Sequence, residues 1–119
     1  RDPTRGGLSS ALNEFAEAAG VGVHLNEADI PVREAVAGAC ELLGFDPLYV
    51  ANEGKLVAIT SPGSAEAVLE AMRNHELGRE ASDIGCVTSS PSGQVVMKTR
   101  LGSSRIIDML TGEQLPRIC

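Results

Sequence analysis

The 119-residue sequence predicts an α+β fold, a layered sandwich of a mixed, largely antiparallel sheet packed with about three helices. One reason is that the apolar pattern switches several times between helical and extended periods, with no internal repeat and no low-complexity stretch. A second is that extended segments fall in neighbouring pairs joined by turn sequences, which indicates hairpins and not a purely parallel sheet. The third is the material available for a core. Phe15, Phe45 and Tyr49 are the aromatic residues and Trp is absent, so burial rests on Leu, Ile, Val and many Ala, which suits close helix-on-sheet packing. A chain of this size forms one domain and buries roughly two-thirds of the surface its unfolded form exposes.

The elements follow in order. Leu8, Leu12, Phe15, Ala16 and Ala19 recur at helical spacing after Gly6-Gly7, and Gly20 closes that first helix. Val21, Val23 and Leu25 alternate with small or polar residues, as in a half-buried strand. A second helix is expected after Asp29-Ile30, with Pro31 in its first turn, an inward stripe of Val32, Val36, Ala39, Cys40 and Leu43, and Gly44 at its end. Leu48 to Ala51 and Leu56 to Thr60 are expected as strands of a hairpin turning at Asn52-Glu53-Gly54-Lys55. Ser61-Pro62-Gly63-Ser64 opens a third helix that faces Ala65, Val68, Leu69 and Met72 inward and ends near His75 to Gly78. Ser82 to Thr88 and Gln94 to Arg100 form two strands joined through Ser89 to Gly93, with a last strand near Arg105 to Ile107.

Charge and composition exclude several classes of function. The net charge is −6 with a pI near 4.8, and no basic stripe or stacking aromatics are present, so a nucleic acid is not the expected partner; a protein or a small substrate is. Cys40, Cys86 and Cys119 are widely spaced, which fits neither a disulfide framework nor a structural zinc site and points to a reducing cytoplasm. Cys40 and Cys86 read as small buried hydrophobes, and His24 and His75 supply no metal-ligand spacing. No apolar run approaches the ~20 residues of a membrane span, and no charged-then-apolar leader is expected. Because the first residue is Arg1 and not Met, the chain reads as a piece of something longer.

Three places carry function-capable groups. Arg1-Asp2-Pro3-Thr4-Arg5-Gly6-Gly7 sets two guanidinium forks, a carboxylate, a hydroxyl and a double glycine before a helix, an arrangement suited to an anion such as phosphate. The same residues also describe a capped helix with solvated arginines, and the spacing is not that of the lysine-bearing phosphate loop. Glu53, beside Asn52 in the expected hairpin turn, is either a solvated carboxylate or a positioned base. Pro116-Arg117-Ile118-Cys119 ends the chain on a thiol, carried by a polar tail, 109–119, that could span about 35 Å when extended, beyond a domain at 1–108. On these residues alone, an enzyme with a reactive tail, a kinase-like enzyme that ignores the tail, and a non-catalytic interaction module all remain open.

Asp2-Pro3-Thr4-Arg5-Gly6-Gly7-Leu8 resembles the signature that opens the C-terminal domain of the hydrogenase-maturation family HypE, and Pro116-Arg117-Ile118-Cys119 resembles that family's terminus. The segment Asp46-Pro47-Leu48-Tyr49-Val50-Ala51-Asn52-Glu53-Gly54-Lys55-Leu56 is similar to the family's central segment, so the likeness covers essentially the whole chain. The first motif is also shared with the wider aminoimidazole-ribonucleotide synthetase superfamily, which includes selenophosphate synthetase and thiamine-phosphate kinase.

The resemblance implies the C-terminal part of an ATP-dependent carbamoyl dehydratase that makes cyanide ligands for the iron of nickel-iron hydrogenases. It implies that a HypF-like carbamoyltransferase loads a carboxamide on Cys119, that the thiocarboxamide becomes a thiocyanate, and that a HypC-HypD scaffold receives the cyano group. Cys119 is then carrier and substrate site, and Glu53 the base. Arg5, Gly6, Gly7, Asp2 and Thr4 are expected at the nucleotide, with Asn52 and Arg117 positioning the substrate. Magnesium is expected with the ATP, although no metal ligand is assigned here. The main nucleotide surface and the homodimer interface are expected in an N-terminal domain, so these residues alone are expected to be inactive.

Overall fold

The computed structural model describes residues 1–109. It is an α+β fold of three helices, α1 (Gly7–Ala19), α2 (Glu34–Leu43) and α3 (Ala65–Arg73), and four strands, β1 (Gly22–Asn26), β2 (Gly85–Thr88), β3 (Val95–Lys98) and β4 (Ser104–Ile106). The strands lie in the order β2-β1-β3-β4. The pairs β2/β1 and β3/β4 are antiparallel, and the central pair β1/β3 is parallel. The sheet is therefore mixed, with antiparallel outer pairs, as the sequence leads one to expect.

Period-two patterning decides which face of the sheet is covered. Val23 and Leu25 of β1 and Val95 and Met97 of β3 are buried, and α1 lays Leu12 and Ala16 on them. Ile30, Leu48 and Ile107 complete the core, with Phe15 and Tyr49 packed at its margin. The end of α1 is a Schellman closure, in which Gly20 donates to the Glu17 carbonyl at 3.3 Å and Val21 to the Ala16 carbonyl at 3.0 Å. Gly85 is in β2 because the strand runs close against β1: a Cβ there would lie 2.0 Å from the His24 carbonyl oxygen.

Several expectations are corrected. The hairpin over Leu48–Ala51 and Leu56–Thr60 does not form; Pro47–Tyr49 is a 3₁₀ turn, and neither segment is a strand. The cause is local, since the Asp46 carboxylate accepts from the Leu48 N–H at 2.9 Å and the Pro47 ring is already shaped for a helical first turn. That folds the chain over and drives Leu48 into the core.

Helix α2 starts later than the sequence suggests, at Glu34, so Pro31 and Val32 precede it. Buried Ile30 anchors the chain in the core, and the backbone stays extended as far as Arg33. Of the stripe expected to point inward only Cys40 is buried; Val32, Val36 and Leu43 are exposed, because α1 holds the covered face of the sheet and α2 leans on the 47–49 turn instead. The inward side of α3 has the expected phase, with Ala65, Val68, Leu69 and Met72 half-buried and their neighbours exposed. Cys86, expected to be buried, is exposed on β2, an edge strand.

Candidate functional site

The N-terminal motif is built on the start of α1. Gly6 is the N-cap, with φ 65°, and no side chain caps the helix. Gly7 follows with the same φ and is buried against the 47–50 segment, where a Cβ would lie 2.5 Å from the Leu48 carbonyl oxygen and 2.6 Å from that of Val50. Only glycine satisfies both the conformation and the gap. Gly7 therefore has a packing role, which the anion-site reading of the sequence missed.

Before the glycines, the Thr4 hydroxyl donates to the Asp2 carboxylate at 2.8 Å, and that bond holds the Asp2 carboxyl below its ordinary range. Of the two guanidinium groups in the motif, Arg1 pairs with Glu14 on α1. Arg5 is exposed and makes no ion pair among the described residues, so its planar fork is open to a ligand.

Glu53 sits in an exposed bend, 53–54, between non-strand segments. The bend is held against the N-terminal motif by backbone bonds. Asn52 donates its N–H to the Pro3 carbonyl at 3.0 Å, and Val57 donates to the Arg1 carbonyl at 2.7 Å while the Arg1 nitrogen donates to the Val57 carbonyl at 3.0 Å. The Asn52 side chain is engaged within the bend, donating to the Val50 carbonyl at 2.9 Å and accepting from the Lys55 ammonium at 3.2 Å. It shapes the turn that presents Glu53. The structure thus brings Asp2 to Gly7 next to Asn52-Glu53, whereas Cys119 and Arg117 lie outside the described residues.

Two supports escaped the sequence reading. Asp46, besides capping the 47–49 turn, accepts from the Arg105 guanidinium at 2.5 Å, and this bond raises the Arg105 pKa further above its ordinary value. It ties β4 to the segment leading to Glu53. Ser9 and Asn13, buried on α1, bond the chain just after β4: the Ser9 hydroxyl donates to the Asp108 carbonyl at 2.6 Å, and the Asn13 amide donates to the Ile107 carbonyl at 2.8 Å. Polar residues inside the apolar period of a helix were the available signal for them.

A groove of about 390 Å³ runs between α1 and residues 57–59, lined mainly by Ala11, Leu12, Phe15, Ala18, Val57 and Ile59. Neither Arg5, Gly6, Gly7 nor Glu53 lines it, and its apolar walls do not suit a polyphosphate. Strand register puts His24 directly opposite Cys86, yet among the described residues no group of three or more His, Cys, Asp or Glu side chains could hold a metal ion. His75 accepts from the Leu77 N–H through Nδ1 at 3.2 Å and so caps a 3₁₀ turn.

Residues 1–98 match the C-terminal domain of AIR synthase related proteins. The chain belongs to that family. Over all 119 residues it is 60% identical to the carbamoyl dehydratase HypE of Bradyrhizobium diazoefficiens and to that of Azotobacter vinelandii, spanning 34% and 35% of their lengths. A crystal structure of the hydrogenase maturation protein HypE superposes with a TM-score of 0.94 at 50% identity, covering all of this chain and 39% of that one. A HypE structure in complex with ATP gives 0.93 at 50% identity, covering all of this chain and 37% of that one. A HypE-HypF complex gives 0.87 at 44% identity, covering 92% of this chain and 35% of that one. This AIR synthase related domain thus spans about a third of the length of the curated relatives it matches, and the HypE likeness read from three short motifs extends through the whole chain.

Proposed function

We propose that this domain, at residues 1–108, and the tail after it, 109–119, form the C-terminal part of an ATP-dependent carbamoyl dehydratase. The tail's Cys119 carries the group that reacts. What carries the reading is that the match to carbamoyl dehydratases runs over all 119 residues, through both motifs and the terminal cysteine. The pairing of Asn52 with Pro3 supports it from the structure, since it sets the proposed base beside the proposed phosphate-binding residues.

The chemistry has two steps. The amide oxygen of a Cys119 thiocarboxamide attacks the γ-phosphorus of ATP, ADP departs, and one N–H proton is lost, leaving an O-phosphorylated imidate. The remaining N–H proton is then removed as the C–O bond breaks, so that a thiocyanate forms and inorganic phosphate leaves with the original amide oxygen. Phosphorylation is needed because an amide oxygen leaves poorly, and a base is needed because an amide N–H is a very weak acid. Glu53 is the group assigned to take the proton. Arg5 has an open guanidinium fork for phosphoryl oxygens, and Asp2 and Thr4 shape the turn before it. Gly6 and Gly7 bring the backbone to the same place, and Arg117 flanks the reacting sulfur in sequence.

Magnesium accompanies the ATP in this reading by the general needs of phosphoryl transfer, with no residue of this chain assigned to it. A HypF-like carbamoyltransferase is the proposed donor, supported by the HypE-HypF complex, and a HypC-HypD scaffold the proposed acceptor. The rest of the nucleotide site and a homodimer interface are assigned to the preceding part of the longer protein, in the cytoplasm.

Intact mass of the full-length protein tests this directly. After incubation with the carbamoyl donor system, Cys119 is expected to gain about 43 mass units, falling to about 25 on addition of ATP as water is lost. Glu53→Gln is expected to load normally and to convert about 10²–10⁴-fold more slowly. Normal conversion in that variant would remove Glu53 as the base, and an adduct that never loses water would sink the reaction.

A further inference from the structure

We propose that Ser9 and Asn13 are positioning residues that fix where the C-terminal tail departs from the domain, and so set the delivery of Cys119 to the reaction proposed above, on which this inference rests. Both side chains are buried, Ser9 at 1% and Asn13 at 8% exposure, on a helix that also buries Ser10 beside the apolar Ala11, Leu12 and Ala16. Burial of a hydroxyl and a carboxamide is unfavourable unless their donors are satisfied. Here the satisfying partners are two consecutive carbonyls at the exit from β4, Ile107 and Asp108. The Asn13 amide also donates to the Ser9 backbone carbonyl one turn earlier on α1 at 3.0 Å, so its second donor is satisfied within the helix.

The clamp is reinforced from the sheet. Ile107 is fully buried and donates its N–H to the Val95 carbonyl at 2.8 Å. The bonds that leave α1 from Ser9 and Asn13 run to the chain after β4 and not to β1 or β3. What these bonds do is hold the exit against the first two turns of α1, the helix that begins from Arg5-Gly6-Gly7.

Distance gives the clamp its consequence. Cys119 lies eleven residues beyond Asp108, so at most about 36–40 Å of chain connects the sulfur to its origin. With a tether this short, the effective concentration of the sulfur at a target depends on where the tether starts. An origin fixed to Ser9, one turn of α1 beyond Arg5, favours reaction of the protein's own tail, and a released origin does not.

The test compares the tethered reaction with an untethered one, in full-length protein. Single-turnover conversion of a pre-carbamoylated Cys119 is measured in the parent, in Ser9→Ala and in Asn13→Asp, which keeps its shape but loses the amide donors. Alongside, each is combined with Cys119→Ser and supplied at saturation with a synthetic peptide of residues 110–119 bearing a thiocarboxamide. The expected result is a tethered rate lowered about tenfold in either variant, with the peptide rate unchanged. Unchanged tethered rates in variants of an active parent would overturn the clamp alone, and a parallel fall of tethered and peptide rates would reduce both residues to structural support. A parent that converts neither its tail nor the peptide would overturn the proposed reaction and the clamp with it.

Discussion

The backbone N–H of Asn52 donates to the carbonyl of Pro3 at 3.0 Å, and this bond joins two motifs that stand at opposite ends of the first half of the sequence. The paired bonds of Val57 with Arg1 extend the same contact. The expected hairpin partner of 56–60 was the 48–51 segment; its actual partner is the N-terminal motif. That exchange places Glu53 one residue from the chain that carries Thr4 and Arg5.

Gly7 is the tightest point of the arrangement. Gly7→Ala is expected to destabilise the fold by about 2 kcal/mol or more, because the new methyl would meet the Leu48 carbonyl while the backbone stays at a φ of 65°. Gly54→Ala shares the positive φ, at 70°, but meets nothing within 4 Å, and is expected to cost only about 1 kcal/mol. Urea unfolding of both variants checks the difference, and equal losses would show that the close approach is not what demands glycine at position 7.

Asp46 bonds both the Leu48 N–H and the Arg105 guanidinium. Arg105→Ala is expected to cost at most about 1 kcal/mol, since the ion pair is partly solvated, with side-chain exposures of 44% and 25%. Asp46→Ala also removes the cap on Leu48 and is expected to cost about 1–2 kcal/mol. A double-mutant cycle on unfolding free energies separates the pair from the cap. Equal single-variant losses would mean that the cap contributes nothing.

Arg33 and Glu80 pair across the surface at 2.8 Å, and the guanidinium bond holds the Glu80 pKa below its ordinary 4.5. A carboxyl with a depressed pKa in the fold binds fewer protons than it does in the unfolded chain, so the pair stabilises above pH 4.5 and loses that contribution as the pH falls through the ordinary value and below. The stability gap between the parent and Glu80→Gln is therefore expected to be small at neutral pH, smaller in high salt, and absent in strong acid. A gap that widens on acidification would contradict the pairing.

The two described cysteines differ in access. In a Cys119→Ser background, a soluble thiol reagent is expected to modify Cys86 rapidly in the native protein and Cys40 only on unfolding, since Cys86 is exposed and Cys40 is 6% exposed. Peptide mapping of the labelled protein distinguishes the two sites, and prompt labelling of Cys40 would show that α2 is not seated as described.

Much of the fold was legible because it is local. The helical spacing of Leu8, Leu12 and Ala16, the closing Gly20 and the alternation of Val23 and Leu25 each express contacts within one element, and each appears where the pattern puts it. The ionisable and polar groups of the candidate site were legible as chemistry, since Arg5 and Glu53 announce what they can bind or abstract. Their neighbourhood was not. A short apolar run such as 48–51 satisfies a strand pattern equally well with or without a partner, and only the Asp46 cap, the close approach of the Leu48 carbonyl to Gly7 and the bond from Asn52 to Pro3 decide against the hairpin. Likewise the stripe on α2 is amphipathic in sequence, but whether it is covered depends on which helix occupies the sheet. Sequence by itself determined α1, β1 and the faces they bury, because these depend on near neighbours along the chain. Tertiary structure alone decided the pairing of the motifs, the packing role of Gly7 and the anchoring of the chain exit by Ser9 and Asn13, because each rests on a carbonyl contributed by a distant segment, and every residue carries the same carbonyl.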